Sequence, residues 1–181
     1  GLKTAGLGLT AIGAGGFAGA SYAIKQFANT GSTLDDMSQR TGASVEALSR
    51  LDFAAKMSGS SLSEIEGSTK KLHKSLAEAI GGNKEASASF KRLGLSAKDV
   101  AKLPLDKQMA AIGNAITAIA DPVEREAAAV DIFGKSGADL IPVFNGLADA
   151  VARANELGLG WTSADAETAA ALGDRIDELS S

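Results

Sequence analysis

The sequence predicts an all-α protein: a bundle or array of multiple short capped helices, led by a Gly/Ala-rich N-terminal helix. Three observations predict it. Apolar residues recur at three- and four-residue steps, the period of one helix face. Ser, Thr and Asp stand just ahead of those runs and glycine just behind them, where helices start and stop. Runs of β-branched residues and strict apolar–polar alternation are absent, so no strand is expected. The hydrophobic fraction is 45% but aromatics are only 4%. Ala and Gly carry much of that fraction, so the helices must pack closely rather than around a thick aromatic core.

Taken in order, helices are expected at residues 3–30, 33–40, 44–57, 61–80, 83–93, 96–102, 106–120, 122–133, 138–157 and 163–180. The first carries no charge from Ala5 to Ile24. The second opens on Thr33…Asp36, a pair in which a hydroxyl caps a free N–H of the first turn and the acid returns the bond. Gly42-Ala43-Ser44-Val45, Gly59-Ser60-Ser61-Leu62 and Gly94-Leu95-Ser96-Ala97 share a Gly-x-Ser start, which is reused cap chemistry rather than a solenoid repeat. Ser61…Glu64, Ser96…Asp99, Ser136…Asp139 and Thr162…Asp165 are further boxes, with Asp the weaker partner. Asp121-Pro122-Val123-Glu124 sets an N-cap acid, a proline at the first helical position and a second acid in the first turn. Gly42, Gly59, Gly81-Gly82, Gly94, Gly134, Gly146 and Gly158 end or split the runs, as C-terminal caps do. Pro142 kinks or starts its helix.

Three narrow seams follow a 3-4 spacing. Leu62, Ile65, Thr69, Leu72, Leu76 and Ala79 form the first; Met109, Ile112, Ile116 and Ile119 the second; Ala169, Leu172, Ile176 and Leu179 the third. Such seams suit helix pairing within one chain or between copies. They are too short to require a coiled coil, so an ordinary bundle core stands beside that reading.

Two parts are expected: a Gly/Ala-rich apolar helix over residues 1–30 and a helical module over 31–181. The chain opens on Gly1-Leu2-Lys3 without an initiator Met and closes in mid-helix pattern on Leu179-Ser180-Ser181. A segment of a longer protein is expected, although a tag remnant or a processed terminus accounts for the opening equally well. The uncharged run Ala5–Ile24, between Lys3 and Lys25, has the length a helix needs to cross a bilayer. Gly15 and Gly19 give it the GxxxG spacing that lets helices approach closely in membranes. Gly6, Gly8 and Gly13 lower its hydrophobicity and its helix propensity. A buried or self-associating helix and a membrane-entering one both fit.

The formal net charge is −4 and the pI near 5.1. Basic residues gather into no single stripe, Lys70, Lys71 and Lys74 coming nearest, which argues against strong or specific nucleic-acid binding by this segment. Cysteine is absent, so disulfides and thiolate metal sites are excluded.

No set of residues in the sequence is spaced for catalysis or ligand binding. The lone His73 stands among lysines and reads as a surface residue rather than a ligand or a base. The acid pairs Asp35-Asp36, Glu64/Glu66, Glu124/Glu126 and Asp174/Asp177/Glu178 fall mostly in first helical turns, where they complement the helix dipole. They are not set as two carboxylates across a cleft. Gly134-Lys135-Ser136-Gly137 holds G-K-S, but position 129 is Ala where a phosphate loop needs Gly, and no strand precedes it. Gly13–Gly19 fails the same test. Trp161, ahead of the cap Thr162, is expected to pack back on the helix it opens or to anchor an interface. No catalytic, cofactor or metal residue is assigned, and no enzyme is expected.

The run Asp36-Met37-Ser38-Gln39-Arg40-Thr41-Gly42-Ala43-Ser44-Val45-Glu46-Ala47-Leu48-Ser49-Arg50-Leu51, followed by Ala54-Ala55 and Ser58-Gly59, resembles a segment typical of phage tail tape measure proteins. Phe90-Lys91-Arg92-Leu93-Gly94-Leu95-Ser96 is similar to that family's F-x-x-L-G-L-S step. Asp121-Pro122…Arg125 is similar to a helix start of the family. Ile132-Phe133-Gly134-Lys135-Ser136-Gly137 with Leu140-Ile141-Pro142-Val143-Phe144 is similar to its L-F-G-x-x-G…L-L-P stretch. The matches run in order from about residue 34 to 175. The Gly-rich start of the chain departs from the pattern.

The resemblance implies a structural protein that lies in the tail-tube lumen, sets tail length during assembly and leaves ahead of the DNA, reaching the host envelope. Its implied partners are tail tube and tail tip proteins, tail assembly chaperones, other copies of itself and the host membrane, with no cofactor. Helix converts residue count into length at about 1.5 Å per residue, so the whole segment drawn out would span roughly 270 Å. Ten capped helices with glycine breaks suggest instead a compact or rearranging module within a longer ruler. The alternative from the residues alone is a membrane-active or pore-forming helical protein acting through residues 5–24.

Overall fold

The structure, a computed structural model, describes residues 16–156, 158 and 160–180, with side chains from Lys25 onward except at 155, 176, 177, 179 and 180. Among these residues there are nine α-helices and no strand: α1 Gly16–Thr41, α2 Val45–Met57, α3 Leu62–Ile80, α4 Lys84–Arg92, α5 Ala97–Val100, α6 Leu105–Thr117, α7 Pro122–Phe133, α8 Ile141–Glu156 and α9 Ser163–Ser180. A 3-10 segment, Lys135–Leu140, joins α7 to α8.

Most starts are the capped ones. Ser61 and Glu64 form a complete reciprocal box at α3. Asp121 Oδ1 accepts from the backbone N–H of Val123 at 2.7 Å and of Glu124 at 3.2 Å, with Pro122 opening α7. Ser44 accepts from the Ala47 N–H, Ser96 from that of Asp99 and Asn83 from that of Ala86. Gly42 and Gly134 take the left-handed backbone, φ 71° and 74°, which glycine reaches without the Cβ penalty of other residues.

Four expectations are corrected. The break between residues 30 and 33 does not exist: α1 is one unbroken helix, and the boundary between residues 30 and 31 falls inside it. Thr33 caps nothing; its hydroxyl donates to the Asn29 carbonyl at 2.7 Å, the back-bond of a threonine in a helix interior. Ser136…Asp139 is not a box, because that stretch is 3-10 and has no side-chain cap. Gly146 lies inside α8, whose second residue is Pro142, where a missing N–H costs nothing.

One core gathers side chains from every helix. Leu34 and Met37 come from α1, Leu48 and Leu51 from α2, Ile65 and Leu72 from α3, and Phe90 from α4. Ile112 and Ile116 of α6, Ile132 and Phe133 of α7 and Phe144 of α8 complete its centre. Burying each such side chain contributes about 1.5–3 kcal/mol. Phe133 and Phe144 supply its aromatic contact, ring centroids 5.2 Å apart. Small residues set the helix spacing: a Cβ on Gly113 of α6 would lie 2.6 Å from the Phe144 ring, so glycine there lets α8 close down on α6.

α9 packs chiefly along α1. Gly31 faces Ala169 while Ala28 faces Gly173, so the two helices run antiparallel. The outer half of α1 and the outer half of α9 thus point the same way, away from the core.

Candidate functional site

The positions singled out for helix packing occupy three settings. In α3, Ile65, Thr69, Leu72 and Leu76 are buried, with Leu62 and Ala79 half-buried at the two ends. The Thr69 hydroxyl is satisfied by the Ile65 carbonyl at 2.7 Å, so a polar residue sits in the seam without an orphan group. Ser75 adds a tie across helices, donating to the Ile132 carbonyl at 3.0 Å, one of the carbonyls that a helix end leaves free.

In α6, Met109, Ile112 and Ile116 are buried. Ile119 lies past the helix end, half-buried against the core. Its carbonyl accepts from Arg125 Nε at 2.9 Å, and the next carbonyl, Ala120, accepts from Arg125 Nη2 at 3.2 Å. Arg125 therefore fixes the α6–α7 corner. In α9, Ala169 is buried and Leu172 half-buried; the side chains of Ile176 and Leu179 lie outside the described ones. Among the described residues these seams pair within the chain rather than forming a free stripe.

Gly15 lies outside the described residues, and Gly19 lies in the first turns of α1, with the residues around it described as backbone only. Among the described residues no helix is long and apolar enough to cross a membrane.

The junction before α9 is the most elaborate. Thr162 and Asp165 exchange bonds as a capping box, Thr162 N–H to Asp165 at 3.0 Å and Asp165 N–H to the Thr162 hydroxyl at 3.2 Å. Glu46 of α2 reaches across to accept from the Ser163 N–H at 3.0 Å. Trp161 stacks on Phe27 of α1, ring centroids 4.7 Å apart, and its backbone N–H donates to the Ser49 hydroxyl at 3.0 Å. Trp161 thus packs on α1 and clips α9 to α1 and α2.

Several acids are taken up in caps and ion pairs. Glu46 is held below the usual carboxylate range by its own backbone N–H, by that of Ser163 and by the Ser163 and Ser44 hydroxyls. Asp165 is lowered by the Thr162 hydroxyl and N–H, Glu64 by the Ser60 hydroxyl and the Ser61 N–H. Glu66 is lowered by its bond from Lys70 and by the Arg40 charge, and Asp99 by the Ser96 hydroxyl and Lys102. A carboxyl whose folded pKa is depressed contributes stability that is present above its unfolded pKa and is lost as pH falls through the folded value. The melting temperature is therefore expected to hold from neutral pH to about pH 5 and to decline below that. Glu46→Gln should flatten the decline. A melting temperature unchanged down to about pH 3 would contradict this account.

His73 is half-buried on α3. Among the described residues no group of three or more His, Asp or Glu is placed to hold a metal ion. The Gly134–Gly137 stretch is the start of the 3-10 segment. A Cβ on Gly137 would collide with the Ala129 carbonyl of α7, and Lys71 packs its stem against Gly134. This loop is closed by its own chain and does not cradle a phosphate.

One surface feature escapes a reading of the sequence. An open groove of about 450 Å³ runs between the end of α3 and the α4–α5 turn, with Ile80, Leu95 and Ala97 among its apolar lining and Lys91 and Lys98 on its walls. A smaller hollow continues it to Lys84. The sequence carries the signal as lysines at seven-residue steps, 84, 91 and 98, but the turn between α4 and α5 hides that they face one groove.

Comparison with protein-family models, with curated proteins and with solved structures finds no significant match. The class of protein defined here is therefore that of the fold, an all-α array of short capped helices around one core.

Proposed function

We propose that this chain is a structural segment of a phage tail tape measure protein, setting tail length during assembly and assisting DNA delivery into the host. Its place would be the lumen of the virion's tail tube, with passage toward the host envelope during infection. Its partners would be tail tube and tail tip proteins, tail assembly chaperones and further copies of the chain. It would act through helix surfaces, without a cofactor and without catalysis.

What supports the reading is where the resembling runs fall. Asp36–Leu51 builds the α1–α2 corner, Phe90–Ser96 the α4–α5 turn, Asp121–Arg125 the α6–α7 corner, and Ile132–Phe144 the passage from α7 through the 3-10 segment to α8. The residues that carry the likeness are thus the ones that turn the chain, which is what a shared module would require.

The test is a phage whose ruler gene encodes this segment. Deleting it in frame should shorten the tail in electron micrographs. The shortening approaches roughly 270 Å if the tube carries the segment as one drawn-out helix, and is nearer about 40 Å, one α1 length, if it is carried folded. The segment should also co-purify with tail tubes. Tails of unchanged length would overturn the length-setting role.

A further inference from the structure

Charge is distributed unevenly along this chain. Nine of its eighteen basic residues lie between Lys70 and Lys107, against four of its twenty-two acids; residues 108–181 hold four basic residues and twelve acids. The fold sets the lysines of α4 and α5 and the acids of α9 on elements with different neighbours. α4 packs on α3 and α7, and α5 on α3, whereas α9 packs on α1 and α2.

Around the α3–α4–α5 groove several charges are already paired: Arg92 with Asp131 at 2.7 Å, Lys102 with Asp99 at 3.2 Å and Lys74 with Glu78 at 3.7 Å. Lys84, Lys91 and Lys98 are exposed and enter no ion pair among the described residues. Between them the groove shows apolar surface, with Ile80 43% exposed. Unpaired cations around an apolar floor suit an acidic helix with small side chains between its acids.

We infer that the occupant is a second copy of this chain, which seats the outer face of its α9 in this groove. On α9, Glu167, Ala171 and Asp174 follow four- and three-residue steps, so they share one face, and all three are exposed. Glu167 and Asp174 form no ion pair among the described residues. Lys84 and Lys91 of α4 are seven residues apart, as are Glu167 and Asp174 of α9, a separation of roughly 10 Å along either helix axis. Laid side by side, the two helices bring both charge pairs together in a single register, with Ala171 leaving room for close approach. The contact joins two different surfaces, so copies add head to tail rather than closing as a symmetric pair. This chain alone defines it, whatever larger assembly it serves.

Sedimentation velocity on the full chain tests it. Association that rises with concentration and weakens with added salt is expected. Lys84→Glu, Lys91→Glu and Lys98→Glu together should weaken it about tenfold or more, and so should Glu167→Lys with Asp174→Lys. Mixing the two charge-reversed proteins should restore association, because each now offers what the other lost. All five positions are exposed, and circular dichroism checks that helix content is kept; Lys→Gln versions at the same three sites serve if a reversal disturbs folding. A chain that stays monomeric, or whose association survives both reversals, overturns the proposal. So does a monomeric chain that binds a short DNA duplex through these lysines, since the anion would then be nucleic acid.

Discussion

Replacing Arg50 by alanine is expected to cost about 3 kcal/mol, the lower end of what breaking a buried ion pair costs. Arg50 Nε lies 2.9 Å from Asp106 Oδ2, with the Asp106 side chain 1% exposed and that of Arg50 25% exposed. The other carboxylate oxygen, Oδ1, is buried and has no protein partner. Removing the guanidinium therefore strands a charge in the core, and partial access of water beside the shortened side chain offsets only some of that. Asp106 also stands in the first turn of α6, which has no side-chain cap at Pro104. Its charge there complements the positive helix start. The control is the double replacement Arg50→Met with Asp106→Leu, expected to lie within about 1 kcal/mol of the parent or above it, because it removes the desolvation penalty together with the attraction. Urea denaturation reads both. A single variant costing as little as the double would show that the pair does not hold α2 to α6.

That pair is not legible in the sequence, since nothing local links residues 50 and 106. What is legible is local chemistry. Ser61, Asp121 and Thr162 start helices because each has its partner within the next three residues. The α3 and α6 seams follow from periodicity alone. Glycine is where local signals divide. Gly42 ends a helix and Gly31 sits inside one, yet both stand two positions before a hydroxyl-bearing cap candidate, Ser44 and Thr33. The difference is tertiary: Gly42 has nothing near its missing Cβ and a left-handed backbone, whereas Gly31 lies against Ala169 and Trp161, more than a hundred residues away in the chain. Thr33…Asp36 misleads for the same reason. A box motif in a long helix cannot announce that the preceding turn is already helical. The sequence places Trp161 at the right junction, but its ring lies on Phe27, a contact that depends on how α1 and α9 cross. The groove lysines belong to the same category, being regular in spacing and given meaning only by the α4–α5 turn.

Gly31→Leu should separate α9 from the rest of the molecule without melting the core. Even a Cβ at this position would collide with Ala169 Cβ and come within 2.9 Å of the Trp161 ring. Ala169 is fully buried, and a methyl fixed to the backbone cannot rotate away, so the two helix axes must part. Overpacking of this kind costs about 3 kcal/mol, and the better helix propensity of leucine returns just under about 1 kcal/mol. The loss falls on α9 because α1 is its main support, with only a minor contact to α2. The core beneath, from α2 through α8, keeps its own contacts. Trp161 is the one tryptophan of the chain and sits at the joint, so its emission should shift to the red as the Phe27 stack opens. Amide exchange should rise through α9 while that of α3 and α6 is unchanged. Gly67→Ala is the matched control: this glycine is in α3 with nothing within 4 Å of where the added methyl would sit, so the substitution should stabilise by about 1 kcal/mol through propensity alone and leave the emission where it was. If Gly31→Leu leaves both the emission and the α9 exchange unaltered, the antiparallel α1–α9 pairing is not what holds the last helix in place.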